Sequence, residues 1–390
     1  MRETFLPFCP PNLGEEEIDE VVATLREGWI STGPRTKAFE RQFGEYVNAP
    51  GGTCLMLNSC TAGLHLSLVA LGVGPGDEVV VPTMTFVASA NVVEHVGARP
   101  VLVDVLPDTL CIDPAAVARA ITERTRAIMP VHYAGHPAEL HALDALAQKH
   151  NIPIVEDAAH AVPAWYRDPT NREVMIGCRN NLAAFSFYAT KNLTTAEGGA
   201  LTGPAELIAK ARTLSLHGMS RDAWRRFDRG GSWRYDVEAP GFKYNMTDIQ
   251  AAIGKQQLLK LKRFHARRRE VVQAYNEAFG RHPALEIPVE RENCRSSWHL
   301  YVLRIRPNAV EINRDQFIER LTALNIGTSV HFIPVHMMSF YTRKYGYRPE
   351  DLPVAADAAT RNISLPLHPG LTDEDIHDVT SAVLEIANSG

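Results

Sequence analysis

The sequence has 390 residues and a formal net charge of −5 at pH 7. This charge excludes the general attraction to nucleic acid or to an anionic membrane that a strongly basic chain would have. No apolar run approaches the roughly 18 residues of a membrane-spanning helix. The N-terminal stretch MRETFLPFCPPN also lacks the basic start and apolar run of a secretory signal. We therefore expect a cytoplasmic protein, long enough for two domains with a core each.

The six cysteines are scattered along the chain without a CxxC pair. This spacing predicts neither a zinc site nor a disulfide framework, so we expect reduced thiols and no bound metal. The cysteines stand at positions 9, 54, 60, 111, 178 and 294.

The first fifty residues contain an arm, a helix and a loop. Residues 1–12 are rich in proline and are predicted to be extended, whereas residues 14–27 carry a helical spacing of apolar side chains that ends at Gly28. The loop that follows, WISTGP, combines an aromatic ring, hydroxyls and glycine. These residues suit contact with a sugar, although a plain turn fits them equally well.

Short apolar runs alternate with helical patterns or loops from residue 53 to about residue 202. This alternation predicts a mostly parallel sheet with helices on both faces and a site outside the carboxyl ends of the strands. The predicted strands are 53–57, 78–81, 101–103, 125–131, 152–155 and 183–188.

The last third of the chain predicts a smaller α+β unit. A long amphipathic pattern runs from Met246 to Glu270 and is typical of a helix that leaves the large domain. Beyond it, strands are predicted at 297–305 and 328–332, together with two amphipathic helices. We expect three parts, which are an N-terminal arm (1–12), a large α/β domain (13–250) and a small C-terminal domain (251–390).

Lys191 stands at a junction that suits chemistry. It follows the apolar run 183–188 and precedes a polar turn that ends at Gly198 and Gly199. Lysine has an ordinary pKa of about 10.4, and burial or linkage to a carbonyl removes its charge, which makes it a nucleophile or a Schiff-base carrier. A surface lysine in a loop is the alternative that this stretch leaves open.

Two further stretches favour the chemical interpretation of Lys191. The run IPIVED ends in Asp157, at the carboxyl end of a predicted buried strand, although a helix N-cap is the alternative role. The stretch NSCTAG places small residues between a strand and a helix, where free backbone N–H groups and the helix dipole bind anions. A lysine, an acid and a phosphate cradle are the three parts that pyridoxal phosphate requires.

These stretches, with others at matching spacing, resemble a known family over nearly the whole chain. The family is the pyridoxal-phosphate-dependent nucleotide-sugar aminotransferases of the DegT/DnrJ/EryC1/StrS group. The implied fold is the type I, aspartate aminotransferase-like fold. GWISTGP and PVHYAGHPAEL look most like the branch that aminates the C4 keto group of UDP-linked sugars. The motifs that carry the resemblance are NSCTAGLHLSL, VPTMTFVASANVV, MPVHYAG, IVEDAAHA, FSFYATKNLTTAEGG, KYNMTDIQAA, VHFIPVH and ISLPLHP.

The resemblance implies a ping-pong transfer of an amino group from L-glutamate to a keto sugar in polysaccharide or lipopolysaccharide synthesis. Lys191 is then the internal aldimine and the proton carrier, and Asp157 pairs with the ring nitrogen. Phe86 covers one face of the ring, and His160 packs on the other face or bonds the ring oxygen. A core phenylalanine and a satisfied core histidine are the alternatives for these two residues.

The same resemblance implies further contacts. Asn245 reaches the phosphate from the neighbouring subunit, which implies a homodimer with shared active sites. Arg229 belongs to the arginine-rich segment 221–234, which suits a diphosphate clamp or a solvated loop. His299 is an implied substrate-side residue. The implied phosphate contacts are Ser59, Cys60, Thr61, Ala62 and Ser186. The implied substrate contacts are Trp29, Ser31, Thr32, Gly33, Tyr188, Arg229 and His331.

Two rival functions stay open. A sugar dehydratase uses pyridoxamine phosphate on the same fold, but the dehydratases that this chain resembles have histidine where Lys191 stands. A non-catalytic regulator would keep the fold and sense a ligand, without needing Lys191, Asp157 and the phosphate cradle together. The expected partners are a nucleotide sugar and L-glutamate, and neither nucleic acid nor a membrane.

Overall fold

The computed structural model describes residues 2–219 and 236–389. The arginine-rich segment 221–234, with Arg229, lies outside these residues. Within them the chain forms twelve α-helices and thirteen β-strands. The helices are α1 (Glu15–Glu27), α2 (Pro34–Tyr46), α3 (Cys60–Leu71), α4 (Ala88–His95), α5 (Pro114–Ala120), α6 (Leu140–His150), α7 (Ala205–Leu214), α8 (Asp248–Phe279), α9 (Arg314–Ala323), α10 (Ser339–Tyr345), α11 (Pro353–Arg361) and α12 (Asp373–Asn388). The strands are β1 (Cys54–Leu57), β2 (Glu78–Pro82), β3 (Arg99–Val103), β4 (Thr125–Ile128), β5 (Val155–Asp157), β6 (Trp165–Arg167), β7 (Glu173–Met175), β8 (Leu182–Ser186), β9 (Gly199–Thr202), β10 (Leu285–Glu286), β11 (Cys294–Arg295), β12 (Tyr301–Ile305) and β13 (Asn362–Leu365).

A central sheet is built from two groups of strands. The three-stranded group β3-β2-β4 is parallel, and the four-stranded group has the order β1-β9-β8-β5. Parallel bridges of Ile128 with Ile154 and of Val131 with Asp157 join β4 to β5. In the resulting sheet β9 runs antiparallel to β1 and β8. The mostly parallel sheet therefore agrees with the sequence, but β9 lies where no strand was predicted.

Helix α3 packs unusually close to this sheet. A Cβ added at Gly63 would lie 3.1 Å from the Cβ of Ala184 in β8, so small residues on both elements allow the approach. Most side chains of α3 are buried, and so are all residues of β1 and β9. Because both faces of a mostly parallel sheet are covered, its strands are continuous apolar runs.

The smaller unit contains the antiparallel sheet β10-β12-β13 with helices α9 and α12. Helix α8 runs without a break across residue 250. Its Ala251 packs in the same apolar cluster as Phe39, and its Tyr275 packs against Tyr301 of the small sheet. The domain limits 13–250 and 251–390 stay a prediction.

The strand predicted at 328–332 is wrong. Within this segment only Ser329 pairs as a strand residue, with Ser364. The backbone carbonyl of His331 instead accepts hydrogen bonds from the side chains of Tyr133 and Asn362. Side chains thus occupy the carbonyl that a neighbouring strand would otherwise bond. A third sheet has the order β11-β6-β7; β6 and β7 come from the polar stretch before β8, and β11 pairs with β6 from after α8. Among the described residues, no helix combines the length and apolar character needed to cross a membrane.

Asp248, the first residue of α8, holds the start of α2. This fully buried carboxylate accepts hydrogen bonds from the backbone N–H groups of Gly33 (2.7 Å), Arg35 (3.0 Å) and Thr36 (2.9 Å). The hydroxyl of Thr36 donates a fourth bond of 2.6 Å. A carboxylate at a helix N-terminus is favoured by the free N–H groups and the helix dipole. Asp248 therefore connects two helices that are far apart in sequence.

We expect Asp248→Asn to lower the free energy of unfolding by about 2–4 kcal/mol, because one amide oxygen cannot satisfy four buried donors. Thermal and urea unfolding followed by circular dichroism measure the change. Asp373→Asn is the matched control, since Asp373 is the first residue of α12 but its side chain is 90% exposed. That variant should lose less than about 0.5 kcal/mol. Equal effects of both substitutions would contradict the assigned role of Asp248.

Candidate active site

A cavity of about 480 Å³ opens at the carboxyl ends of β1, β5 and β8. Most of the residues that the sequence singles out meet on its walls. Those that line it are Ser59, Cys60, Thr61, Phe86, Asp157, His160, Ser186, Tyr188, Lys191, His299 and His331.

Lys191 lies just after β8, where its backbone N–H donates to the carbonyl of Tyr188 at 2.9 Å. Its Nζ is 3.3 Å from Nε2 of His299. Burial lowers the pKa of Lys191 to about 8, although the nearby Cys60 and Asp157 oppose this change. At neutral pH the uncharged amine is therefore far more abundant than for an exposed lysine, which suits a nucleophile.

Asp157 is a buried carboxylate at the end of β5. Its oxygens accept hydrogen bonds from the hydroxyl of Ser89 (2.7 Å) and the backbone N–H of Ala159 (3.1 Å). Burial raises the pKa of Asp157, against the effect of these two bonds and of Lys191. Since Asp157 lines the cavity, a bound cation could approach it and relieve the cost of burial. The helix N-cap alternative does not hold, because no helix begins at this position.

Glu156, the neighbour of Asp157, faces the other side of the sheet, as strand alternation requires. It bonds Nε2 of His132 at 3.1 Å, with both side chains fully buried. Glu156 is therefore part of the structural core.

The start of α3 forms the anion cradle. Ser59 caps the helix, because its Oγ accepts from the backbone N–H of Ala62 at 3.1 Å. The N–H groups of Cys60 and Thr61 belong to the first turn and have no acceptor within the helix. Burial raises the pKa of Cys60 well above its usual value, so its side chain stays a neutral thiol.

Ala62 is predicted to contact the cofactor, and this contact stays a prediction. Its N–H is occupied by Ser59, its side chain is buried, and it does not line the cavity. The residues at the start of α3 that line the cavity are Ser59, Cys60 and Thr61.

Two aromatic side chains form parts of the cavity wall. Phe86 is 59% exposed, so it is not a core phenylalanine. The ring centroid of His160 is 5.9 Å from that of Phe332, nearly parallel to it, and 4.4 Å from that of His299. Burial lowers the pKa of His160 well below its usual value, and its Nδ1 has no partner among the described residues. A buried polar atom of this kind is available for a bound molecule.

Besides Ala62, five predicted contacts do not reach the cavity of their own chain, and they lie together elsewhere. Asn245 Nδ2 donates to Oγ1 of Thr32 at 2.6 Å, and the indole N–H of Trp29 donates to the carbonyl of Thr32 at 3.0 Å. Gly33 is bonded to Asp248. These five residues are Trp29, Ser31, Thr32, Gly33 and Asn245.

The cavity also contains residues to which sequence reasoning gave no role. Glu197, Phe332 and Thr190 line it, and Ser89 supports Asp157 from α4. Glu197 and Ser89 stand inside recognised motifs, but nothing in their local pattern indicates a contact with the site. His331 also lines the cavity, with Nδ1 2.8 Å from the hydroxyl of Ser364; its contact with the substrate stays a prediction.

Comparison with known proteins agrees with this geometry. The family model described as the DegT/DnrJ/EryC1/StrS aminotransferase family matches residues 11–384. An uncharacterized protein of Methanocaldococcus jannaschii is 47% identical over 389 residues, which cover 100% of this chain and 99% of that protein. The spore coat polysaccharide biosynthesis protein SpsC of Bacillus subtilis is 46% identical over 387 residues, which cover 99% of this chain and 98% of SpsC.

The fold has close matches among solved structures. A Streptococcus pneumoniae protein named as a sugar aminotransferase, solved in a PLP form, superimposes with a TM-score of 0.90 at 36% identity and covers 99% of both chains. Its PMP form gives the same TM-score and identity, and covers 99% of this chain and 98% of that one. The predictions of the type I fold and of pyridoxal phosphate as the cofactor are confirmed. The chain belongs to the DegT/DnrJ/EryC1/StrS aminotransferase family.

Proposed function

We propose that this chain transfers an amino group from L-glutamate to the C4 keto carbon of a nucleotide-linked sugar. The observation that carries the proposal is a half-buried lysine of lowered pKa that shares one cavity with a buried carboxylate and a helix start. Membership of an aminotransferase family supports the reaction class. A relative named for spore coat polysaccharide biosynthesis supports a sugar substrate. The nucleotide, C4 and glutamate rest on the sequence resemblance.

The residues present fit pyridoxal phosphate. When bound, this cofactor supplies a carbonyl that accepts an amine and a ring that withdraws electrons. Lys191 would hold the carbonyl end, and its Nζ would take and return the proton of the donor's carbon. Asp157, oriented by Ser89, would hold the ring nitrogen and keep it protonated. The free Nδ1 of His160 and the exposed face of Phe86 would orient the ring.

The phosphate would be held by backbone groups and hydroxyls. Cys60 and Thr61 offer N–H groups, and Ser59 and Ser186 line the same part of the cavity. This phosphate site depends on the close contact between β9 and the start of α3. A Cβ at Gly199 would lie 2.5 Å from the backbone N of Cys60, so any side chain at position 199 would displace the start of α3.

The group around Asn245 supports a homodimer with shared active sites. Asn245 and Trp29 each donate a hydrogen bond to Thr32, and none of the three lines the cavity of its own chain. We propose that they complete the active site of the partner subunit. Helices α1 and α8, which pack together, and the loop between α1 and α2 expose large apolar side chains that a dimer would bury. These side chains are Ile18, Leu25, Trp29, Ile30 and Leu259.

The proposed localisation is the cytoplasm. All six cysteines are free thiols, which supports a reducing compartment.

The substrate is tested with UDP-, dTDP- and GDP-linked 4-keto sugars, each incubated with glutamate and analysed by mass spectrometry. Amine formation on one nucleotide series, with nitrogen from labelled glutamate, is the expected result. Failure of all three series, with a protein that does react with glutamate, would exclude the nucleotide-linked 4-keto sugar.

Lys191→Ala should abolish transamination and the covalent retention of pyridoxal phosphate after borohydride reduction, because no other lysine of the described residues lines the cavity. Peptide mass spectrometry locates the reduced cofactor in the wild type. Lys149→Ala, at an exposed position on α6, is the control and should behave as wild type. Activity of Lys191→Ala within about tenfold of wild type, a barrier change of only about 1.4 kcal/mol, would contradict the role.

Gly199→Ala should weaken cofactor binding by at least about tenfold, because the displaced start of α3 loses its alignment with the phosphate. Equilibrium dialysis with pyridoxal phosphate measures the dissociation constant. Gly74→Ala is the matched control, since the nearest atom to its added Cβ is 3.9 Å away. A Gly199→Ala protein that binds the cofactor like Gly74→Ala would show that α3 does not carry the phosphate.

Mixing inactive Lys191→Ala with Asn245→Asp should restore activity if the sites are shared. A mixed dimer contains one site with an intact Lys191 and the partner's intact Asn245. In the Asn245→Asp homodimer the introduced carboxylate would instead repel the phosphate at both sites. Random exchange makes about half of the dimers mixed, so about a quarter of wild-type activity is expected. No recovery after subunit exchange, verified by native mass spectrometry, would mean that each chain completes its own site.

A further inference from the structure

A line of hydrogen-bonded side chains leads from the backbone of Ser297 to the amine of Lys191. The amide nitrogen of Asn192 donates to the carbonyl of Ser297 at 2.9 Å. The amide oxygen of Asn192 is 3.3 Å from Nδ1 of His299, and Nε2 of His299 is 3.3 Å from Nζ of Lys191. Asn192 and His299 are both buried, so solvent does not replace these bonds.

The bonds determine the tautomer of His299. The carbonyl of Ser297 can only accept, so the amide of Asn192 must point its nitrogen there and its oxygen toward His299. Nδ1 of His299 then carries the hydrogen, and the lone pair of Nε2 faces Lys191. Burial lowers the pKa of His299 well below its usual value, and Lys191 adds to this effect. The lone pair is therefore available at neutral pH.

The backbone at His299 is held in a costly arrangement. Trp298 has a φ of 48°, in the left-handed region that a bulky side chain rarely adopts. Arg268 donates to the carbonyls of Trp298 (3.2 Å), His299 (3.3 Å) and Leu367 (2.7 Å). The guanidinium is fully buried, and no carboxylate pairs with it among the described residues. Strained backbone positions of this kind cluster at active sites.

We propose that His299 and Asn192 are positioning residues for Lys191. His299 accepts a hydrogen bond from the free amine and directs it toward the cavity, while Asn192 maintains the tautomer that permits this. Lysine has a long flexible side chain, so without the acceptor the released amine would sample many rotamers between reaction steps. In this role His299 acts through Lys191, whereas the sequence resemblance implies a residue on the substrate side. The inference rests on Lys191 being the reacting amine of the proposed function.

Several other ionisable groups face Lys191 and His299. The variants that test the proposal leave all of these groups unchanged. They come from the N-terminal arm, α3, β5 and its following turn, α8 and the segment after α9. These groups are Cys9, Cys60, Asp157, His160, Arg268 and His331.

Two substitutions of His299 separate positioning from packing. His299→Leu removes the acceptor and keeps the apolar bulk, whereas the amide oxygen of His299→Gln can still accept from Lys191. We expect His299→Leu to lower kcat by at least about tenfold while the KM for glutamate changes less than about twofold. His299→Gln should recover most of the loss. A Gln variant no more active than the Leu variant would overturn the proposal.

A second readout needs neither cofactor nor sugar. Competitive labelling of the full-length chain, freed of cofactor, with an amine reagent over a range of pH measures the pKa of Lys191. The acceptor stabilises the charged amine, so this pKa should fall by about one pH unit in His299→Leu and not in His299→Gln. An unchanged pKa in His299→Leu would overturn the proposal. A wrong choice of sugar in the proposed function leaves this measurement unaffected.

Asn192→Asp tests the tautomer with an isosteric change. A carboxylate next to Nδ1 favours the imidazolium form of His299, which has no lone pair to offer Lys191. The acid limb of the kcat–pH profile for the glutamate half-reaction should therefore move to higher pH. Asn276→Asp, whose side chain accepts from Tyr301 in the small sheet, is the control and should keep the wild-type profile. A folded Asn192→Asp protein with an unshifted acid limb would overturn the role of Asn192.

Discussion

The close packing of α3 against β8 and β9 is the constraint on which the cavity depends. Gly63 and Gly199 leave little room for a side chain at the two points of contact. The start of α3 is thereby held at a set distance from the end of β5, which carries Asp157, and from the turn after β8, which carries Lys191. Three groups from distant parts of the chain are thus held together by rigid elements, as a preorganised site requires.

Burial dominates the electrostatics of this cavity. It lowers the pKa of Lys191 and of His160, His299 and His331, and it raises that of Asp157. Every one of these changes disfavours the charged form of the side chain. The protein alone therefore presents a site in which ionisation is costly. A ligand that brings its own positive ring nitrogen and negative phosphate would supply the charges that Asp157 and α3 are arranged to meet.

The sequence predicts the parts of the site whose role depends on local pattern. Lys191 and Asp157 are recognisable because each follows an apolar strand within a few residues, and Ser59 is recognisable because it precedes a helix. The relation of His299 to Lys191 is not recognisable, since 108 residues separate them in sequence. The strand β9 is missed for a similar reason, because its four residues form a strand only through partners in β1 and β8.

The bonds around Asp248 have a mechanical consequence. Residues 245–248 are tied to the loop and helix start at 32–36 by bonds from Asn245 and Asp248. The same residues open a helix of 32 residues, about 48 Å long at 1.5 Å per residue, whose far end packs in the core of the small sheet. Helix α8 is therefore a rigid connection between that core and the residues beside Asn245. A tilt of the small unit must either bend this helix or carry the Asn245–Thr32 pair with it.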